Sequence, residues 1–406
     1  MPRLVEVFVR FLRLGCSSFG GPIAHLGYFR REFVERAKWL DDAAFTEIVA
    51  LCSVLPGPTS SQVGIVVGAR RAGPFGGLLA WLAFTGPTAI VLIAFGIALR
   101  TLAAAGGNFT QSAGFGGMLE GFAAAAAAVV ALALLQIGRN LIRTRIDAGI
   151  AVAALCIALA ADRFAPSFQW LAIAAGGGLG ATFVRRAPAL PLHAPALAVS
   201  RRTASICGGA FVLLLVGLPI VAPAGGYLDL FATFFRAGSL VFGGGHVVLP
   251  FLQGLIGASV SERTFFAGYG VTQAMPGPLF AFSGFLGAAS RPLGGVVAAL
   301  VALTGIFLPS FLLIAAVMPL WKALRELPRA NAALAGINAS VVGLLAAVLI
   351  DPIATTLVRD PLGILLALAA FALLAWARLP AWIPVLLCGA AGFLVRAGNL
   401  AHLAHS

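Results

Sequence analysis

Arg13-Leu14-Gly15-Cys16-Ser17-Ser18-Phe19-Gly20-Gly21, near the start of the chain, returns in the second half as Arg236-Ala237-Gly238-Ser239-Leu240-Val241-Phe242-Gly243-Gly244. A Pro-Gly-Pro triplet follows each copy, Pro56-Gly57-Pro58 and Pro276-Gly277-Pro278, and then comes a third mark, Thr85-Gly86-Pro87 answered by Thr304-Gly305 and Pro309. Proline inside a helix removes a hydrogen bond and clashes with the preceding turn, and glycine lowers the cost of a sharp bend. Matching breaks in matching order describe one interrupted helical unit used twice.

At 406 residues, 60% hydrophobic and 10% charged, with a mean hydropathy of +1.01, the chain carries more apolar surface than a compact soluble fold can hide. It reads as an all-α polytopic membrane protein. Arg3, Glu6, Arg10 and Arg13 interrupt any apolar core before Gly15, so the beginning does not read as a cleaved signal peptide. The net charge of +13 lies in short loops between apolar runs, which is the positive-inside bias and not a nucleic-acid surface. Cys16, Cys52, Cys156, Cys207 and Cys388 show neither CxxC nor Cys/His spacing, which supports neither a metal site nor a disulfide framework.

Apolar runs near 75–99, 114–137, 146–161, 168–184, 204–222, 294–320, 332–350, 362–377 and 381–396 are the clear spans of a hydrocarbon core ~30 Å thick. The regions ahead of them in each half, about 4–70 and 228–291, read as helix, glycine break, helix, loop, helix, Pro-Gly-Pro break, helix. Backbone groups freed at such breaks need protein or a wet cavity around them. The breaks are therefore expected to meet near the midplane, as half-helix ends do in many secondary transporters.

Arg70-Arg71, Arg139/Arg143/Arg145, Arg185-Arg186 with Arg201-Arg202, and Lys322/Arg325/Arg329 mark a cytoplasmic side. Alternating from there inverts the second half against the first, with 204–222 as the odd helix, a cytoplasmic amino terminus and an external carboxyl terminus. The chain divides into a first repeat at 1–186, a linker with the inverting helix at 187–227, and a second repeat at 228–406. Arg30, Arg31, Arg36 and Lys38 would violate the charge bias if 4–20 and 42–55 were full spans joined outside, which favours re-entrant hairpins. Kinked full spans are the alternative, and the total is about thirteen helical elements.

An arginine at membrane depth is expensive unless it pairs or faces water. Arg13 and Arg236 stand at equivalent places before the glycine breaks and are the first candidates for binding an anion across a pseudo-twofold axis. Thr59-Ser60-Ser61-Gln62, after the first triplet, offers hydroxyls, an amide and a helix start whose free N–H groups suit an anion. The second half has Leu279-Phe280-Ala281-Phe282-Ser283 in that place, so polar contact is expected to lean on the first half. Gly20, Gly21, Gly243, Gly244, Gln273, Pro56, Gly57, Pro58, Pro276, Gly277 and Pro278 complete the candidate substrate contacts. His25 joins them, as a titrating or a hydrogen-bonding group. Glu47 and Glu120 are the candidates for proton coupling, and Glu32, Glu35 and Arg36 are expected to pair within one charged stretch. Without a Walker motif, HExxH or GxSxG, ATP drive and hydrolysis have no residue basis.

Phe19-Gly20-Gly21-Pro22-Ile23-Ala24-His25, Arg31-Glu32-Phe33-Val34, Trp39-Leu40, Leu51-Cys52, Leu55 to Pro58, Ser61-Gln62 and Ala80-Trp81 resemble the amino-terminal domain of the chromate ion transporters. Phe242-Gly243-Gly244, Thr272-Gln273, Pro276 to Phe280, Gly336 to Leu345 and Asp351-Pro352 resemble its carboxyl-terminal domain. The resemblance implies a carrier driven by proton gradient or membrane potential that exports chromate, a sulfate-like oxyanion, across a bacterial inner membrane to the periplasm, with no cofactor and no ATP. It assigns no role to His246. The expected partners are the oxyanion and the bilayer, with no nucleic acid, and a homodimer is left open. A passive oxyanion channel, or a carrier for sulfate or another oxyanion, is the alternative reading.

Overall fold

The structure, a computed structural model, describes residues 2–105, 113–164, 169–184, 199–222, 225–241, 248–256, 259–354 and 360–405. Among these residues every element is a helix. Helix α1, Arg3–Ser17, and helix α2, Gly21–Arg30, which runs on as a π-turn to Arg36, form the first hairpin. Phe11 stacks on Phe33 at 4.8 Å and meets Phe29 edge-on at 5.6 Å, and Arg10 binds Glu32 at 2.5 Å. Residues on the two sides of the glycine break thus face each other, so the chain turns back instead of kinking through. At ~1.5 Å per residue α1 is ~22 Å long, short of the ~30 Å needed to span.

Helix α3, Asp42–Val54, and the first leg of α4, Thr59–Ala105, make the second hairpin around Pro56-Gly57-Pro58. Its two ends rest on the base of the first: Arg30 binds Asp42 at 2.8 Å and Arg71 binds Glu6 at 2.7 Å. Hydrogen bonding from Arg71 holds the Glu6 carboxyl below its ordinary range. Trp39 lies under the guanidinium groups of Arg10 and Arg71 and closes this base. The 47 residues of α4 would make a rod ~70 Å long, but Ala72 (φ −142°) and Gly73 (φ +73°) break it. The legs fold together so closely that a Cβ on Gly68 would meet the Gly76 carbonyl oxygen at 2.5 Å.

In the second half the described helices follow in a similar order. Helices α9 (Tyr227–Leu240) and α10 (Val248–Ile256) precede α11 (Glu262–Gln273), the Pro-Gly-Pro triplet, α12 (Phe282–Ala289) and α13 (Gly295–Val317). Their outer ends gather around one small pocket lined by Asp229, Ile256, Ser259 and Arg291. Gly294, before α13, has φ +58° and ψ −175°, close to the +73° and −171° of Gly73. A side chain at either would be strained, which is why glycine marks both turns. Because each break ends one helix and starts another, the helices outnumber the roughly thirteen expected from the spans.

The long helices interlock the halves. Helix α5, Ala113–Leu141, packs against α16, Pro361–Ala375, and α17, Trp382–His405. Helix α15, Pro328–Val348, which follows the short α14, Trp321–Glu326, packs in the same way against α6, Arg145–Phe164, and α7, Gln169–Phe183. Glycines seat both junctions: a Cβ on Gly117 would strike the Gly392 carbonyl, and one on Gly336 the Gly176 carbonyl. Small residues let helices approach closely where lipid gives no hydrophobic drive to associate. Helix α8, Arg201–Val221, flanks α9 and α13 and leaves Val212, Leu213 and Ile220 exposed. Five described helices are long and apolar enough to cross a membrane, and the chain is a polytopic membrane protein.

Candidate functional site

The helix breaks of the two halves meet, and they meet crosswise. The Gly57 N–H donates to the Val241 carbonyl at 2.7 Å, and the Gly277 N–H donates to the Ser18 carbonyl at 2.9 Å. Each Pro-Gly-Pro triplet therefore ends on the glycine-break helix of the opposite half. The residue after each mid-helix proline closes the same contact: Thr88, after Pro87, donates to the Pro276 carbonyl, and Ser310, after Pro309, receives the Gln62 amide at 3.3 Å. Gly57 (φ +119°) and Gly277 (φ +95°) hold a backbone conformation open to glycine at little cost. A Cβ on Gly57 would lie 2.7 Å from the Ser310 hydroxyl, and one on Gly277 would strike that of Thr88.

The side chains of the first half are mostly committed to this scaffold. His25 lies 3.2 Å from the Ser60 hydroxyl and 3.1 Å from the Ser18 carbonyl, buried against Phe84. Gln62 donates to the Pro56 carbonyl at 2.7 Å. These contacts satisfy the broken backbone, as they must where no water reaches. Among the described residues the Ser18 and Ser61 hydroxyls, the Gln62 carbonyl oxygen and the Thr85 hydroxyl are buried without a partner. Such a group is expensive to leave bare, at about 1–3 kcal/mol each, so the tips form a polar centre with unused hydrogen-bonding capacity.

A cavity of about 780 Å³ lies beside the crossed breaks. Gly20, Gly21, Gln273 and Gly277 line it together with α5 from Val129 to Arg139 and the turn from Trp376 to Ala381 between α16 and α17. Gly21 starts α2, so the helix presents its first N–H groups there. The lining contains two arginines, Arg139 and Arg378, and no carboxylate. At the opposite ends of the same four helices, Glu120 of α5 binds Arg263 of α11 at 3.0 Å and Arg396 of α17 at 3.1 Å. Arg396 also binds Asp360, the N-cap of α16, at 2.9 Å. The cavity is thus open at its arginine end, and its walls are clamped at the other by one ion cluster.

Of the residues singled out from sequence, Gly20, Gly21, Gln273 and Gly277 line the cavity. Thr59, Ser60, Ser61 and Gln62 do not line it, nor do Pro56, Pro58, Pro276 and Pro278, which shape the tips. Arg13 is exposed on α1 and Arg236 is half-buried on α9; neither has a side-chain polar partner among the described residues, and neither lines the cavity. Glu47 is buried with one carboxylate oxygen unpartnered, whereas Glu120 is spent in the ion cluster. Glu32 pairs with Arg36 as expected, at 3.8 Å, and also with Arg10, whereas Glu35 pairs with Arg30. Gly243 and Gly244, with His246, lie outside the described residues. Arg139 and Arg378 went unnoticed as site residues, because each reads as an ordinary basic loop residue beside an apolar run; the sign that sets Arg378 apart is its place in a tight Ala377-Arg378-Leu379-Pro380 turn.

The family model described as Chromate transporter matches residues 5–181 and 228–393. A chromate transport protein of Pseudomonas aeruginosa is 31% identical over 96% of this chain and 92% of its own length. One from Cupriavidus metallidurans is 26% identical over the same shares, 96% and 92%. An uncharacterized transporter of Bacillus subtilis aligns 96% of its length to 43% of this chain at 27% identity, which is the size of one half. No solved structure matches the chain.

Proposed function

The chain belongs to the chromate transporter family, and from that premise we propose that it is a secondary carrier of chromate, moving the ion along the cavity to the crossed breaks and releasing it on the other side. The observation that carries the reading is the cavity itself: Gly20 and Gly21 at the start of α2 line it together with Arg139 and Arg378, and no carboxylate faces it. That lining suits a tetrahedral oxyanion and repels no anion. It does not suit a cation.

Alternating access follows from the two ends. The arginine end is open in this conformation, and the far end is held by Glu120, Arg263, Asp360 and Arg396. Opening outward requires those pairs to part, and a pore open at both ends would have no such clamp. This supports a carrier over a passive channel. Chain direction agrees: alternating the apolar spans puts Arg139 and Arg378 on the cytoplasmic side and the four clamp residues on the periplasmic side, and the same residues cluster in the structure. Two repeats, 1–186 and 228–406, inverted by α8 within the linker at 187–227, account for the reciprocal contacts. The proposed direction is export, driven by the proton gradient or the membrane potential across a bacterial inner membrane, since net direction is set by the driving gradients and not by the side that stands open. Sulfate, of like charge and shape, would be poorly distinguished by hydrogen bonding alone.

Labelled chromate uptake into inverted membrane vesicles tests this reading. Saturable uptake that collapses when the vesicles are de-energised is expected. Uptake that rises linearly with concentration and ignores energisation would establish a channel instead.

A further inference from the structure

We propose that Arg139 and Arg378, one from each half of the chain, form a capture station for doubly charged oxyanions at the cavity mouth, from which the ion is handed to Gln273 and the N–H groups at Gly20 and Gly21. This deepens the transport reading and rests on it. Four observations converge on these two arginines.

The first is isolation. Arg10, Arg30, Arg71, Arg263 and Arg396 each face a carboxylate at 2.5–3.0 Å. Arg139 and Arg378 have no ion-pair partner among the described residues, although both line one cavity. Both sit at helix carboxyl ends, Arg139 in the last turn of α5 and Arg378 just past α16, where the helix dipole favours a cation; what the dipole does not supply is a counter-ion, and the cavity lining holds none. The second is backbone conformation. Arg378 holds φ +53°, in the left-handed region, one of two non-glycine residues described there. A left-handed residue commonly ends a helix, and here it closes the last turn of α16, with the Leu379 N–H donating to the Leu373 carbonyl at 3.1 Å. Here it belongs to the turn that sets the guanidinium at the mouth.

The third is an amide deeper in. Gln273 lines the same cavity as Gly20 and Gly21, its side chain set against the Tyr269 phenol. The fourth is the lining as a whole. A cleft with charge of one sign only and low-dielectric walls concentrates ions of the other sign. Two fixed positive charges act on a dianion with twice the energy they exert on a monoanion, so the station selects by charge before shape is read.

The test uses the full chain in proteoliposomes. Arg139→Gln and Arg378→Gln are each expected to raise the KM for chromate about tenfold with kcat unchanged, the loss of one hydrogen bond to a charged ligand. The double variant should lose the steep dependence of KM on ionic strength, and competition by sulfate should weaken far more than competition by nitrate. Arg→Lys should recover part of the affinity, since it keeps the charge and loses the fork of donors. To separate charge from folding, Arg139→Cys and Arg378→Cys are made, purified and then reacted with a cationic or an anionic thiosulfonate, with the parent chain as the reagent control. The cationic adduct should restore a low KM and the anionic adduct raise it further. Wild-type KM and salt dependence in the Gln variants, or a fall in kcat at constant KM, would overturn the capture station and leave the transport reading standing. Failure of the wild-type protein to move chromate would remove both.

Discussion

Replacing Gly57 with alanine probes the crossed breaks directly. The residue sits at φ +119°, where a side chain is strained by about 1–3 kcal/mol. Its new Cβ would lie 2.7 Å from the Ser310 hydroxyl and 2.8 Å from the Gln62 amide nitrogen, an overpacking worth another ~1–3 kcal/mol. Gly57→Ala should therefore destabilise the protein by about 2–6 kcal/mol, read as a lower melting temperature in detergent. The informative step is the double-mutant cycle. Ser310→Ala removes the oxygen that the new methyl strikes, so in Gly57→Ala it should recover ~1 kcal/mol or more, beyond the size of ordinary non-additivity between distant sites. Thr88→Ala should do the same for Gly277→Ala and nothing for Gly57→Ala. Coupling that is absent, or equal in the matched and mismatched pairs, would refute the assignment of each triplet to the opposite half.

Gln62→Ala should lower stability by about 1–3 kcal/mol, since it strips the Pro56 carbonyl of its donor, while leaving the KM for chromate near wild type; a tenfold rise in KM would return Thr59 to Gln62 to the binding site. Breaking the clamp with Glu120→Gln leaves Arg263 and Arg396 without their shared carboxylate, and should increase labelling of an introduced cysteine on the far side of α5; unchanged labelling would show that the cluster is not a gate. Reporter fusions after residues 143, 325 and 378 should report cytoplasm and those after 225 and 406 the opposite side, and a cytoplasmic carboxyl terminus would break the inverted topology.

The scaffold was legible because its physics is local. A Gly-Gly or Pro-Gly-Pro break interrupts an apolar helix wherever it occurs, and the charges at Arg30, Arg31, Arg36 and Lys38 favoured a hairpin; Phe11 against Phe33 and Arg10 against Glu32 show the chain folding back on itself. The pairing of breaks across halves was not legible. Nothing in Pro56-Gly57-Pro58 says that its N–H will find Val241 and not Ser18. The site was read with the same bias toward local signals. Arg13 and Arg236 drew notice by repeating, and Thr59 to Gln62 by their hydroxyls, yet the hydroxyls of a broken helix are the groups its own backbone claims first, as Ser60 with His25 and Gln62 with Pro56 illustrate. Arg139 and Arg378 are far apart in sequence and share no motif. Only the packing of α5 against α16 and α17 brings them to one cavity.

The central claim, that this chain is a carrier for a doubly charged oxyanion, is tested most directly by flux of labelled chromate in proteoliposomes with pH and voltage set independently. The account predicts saturable chromate flux that responds to at least one of the two gradients and is inhibited by excess sulfate. Chromate flux indistinguishable from protein-free liposomes, or one that never saturates and follows concentration alone, would contradict it.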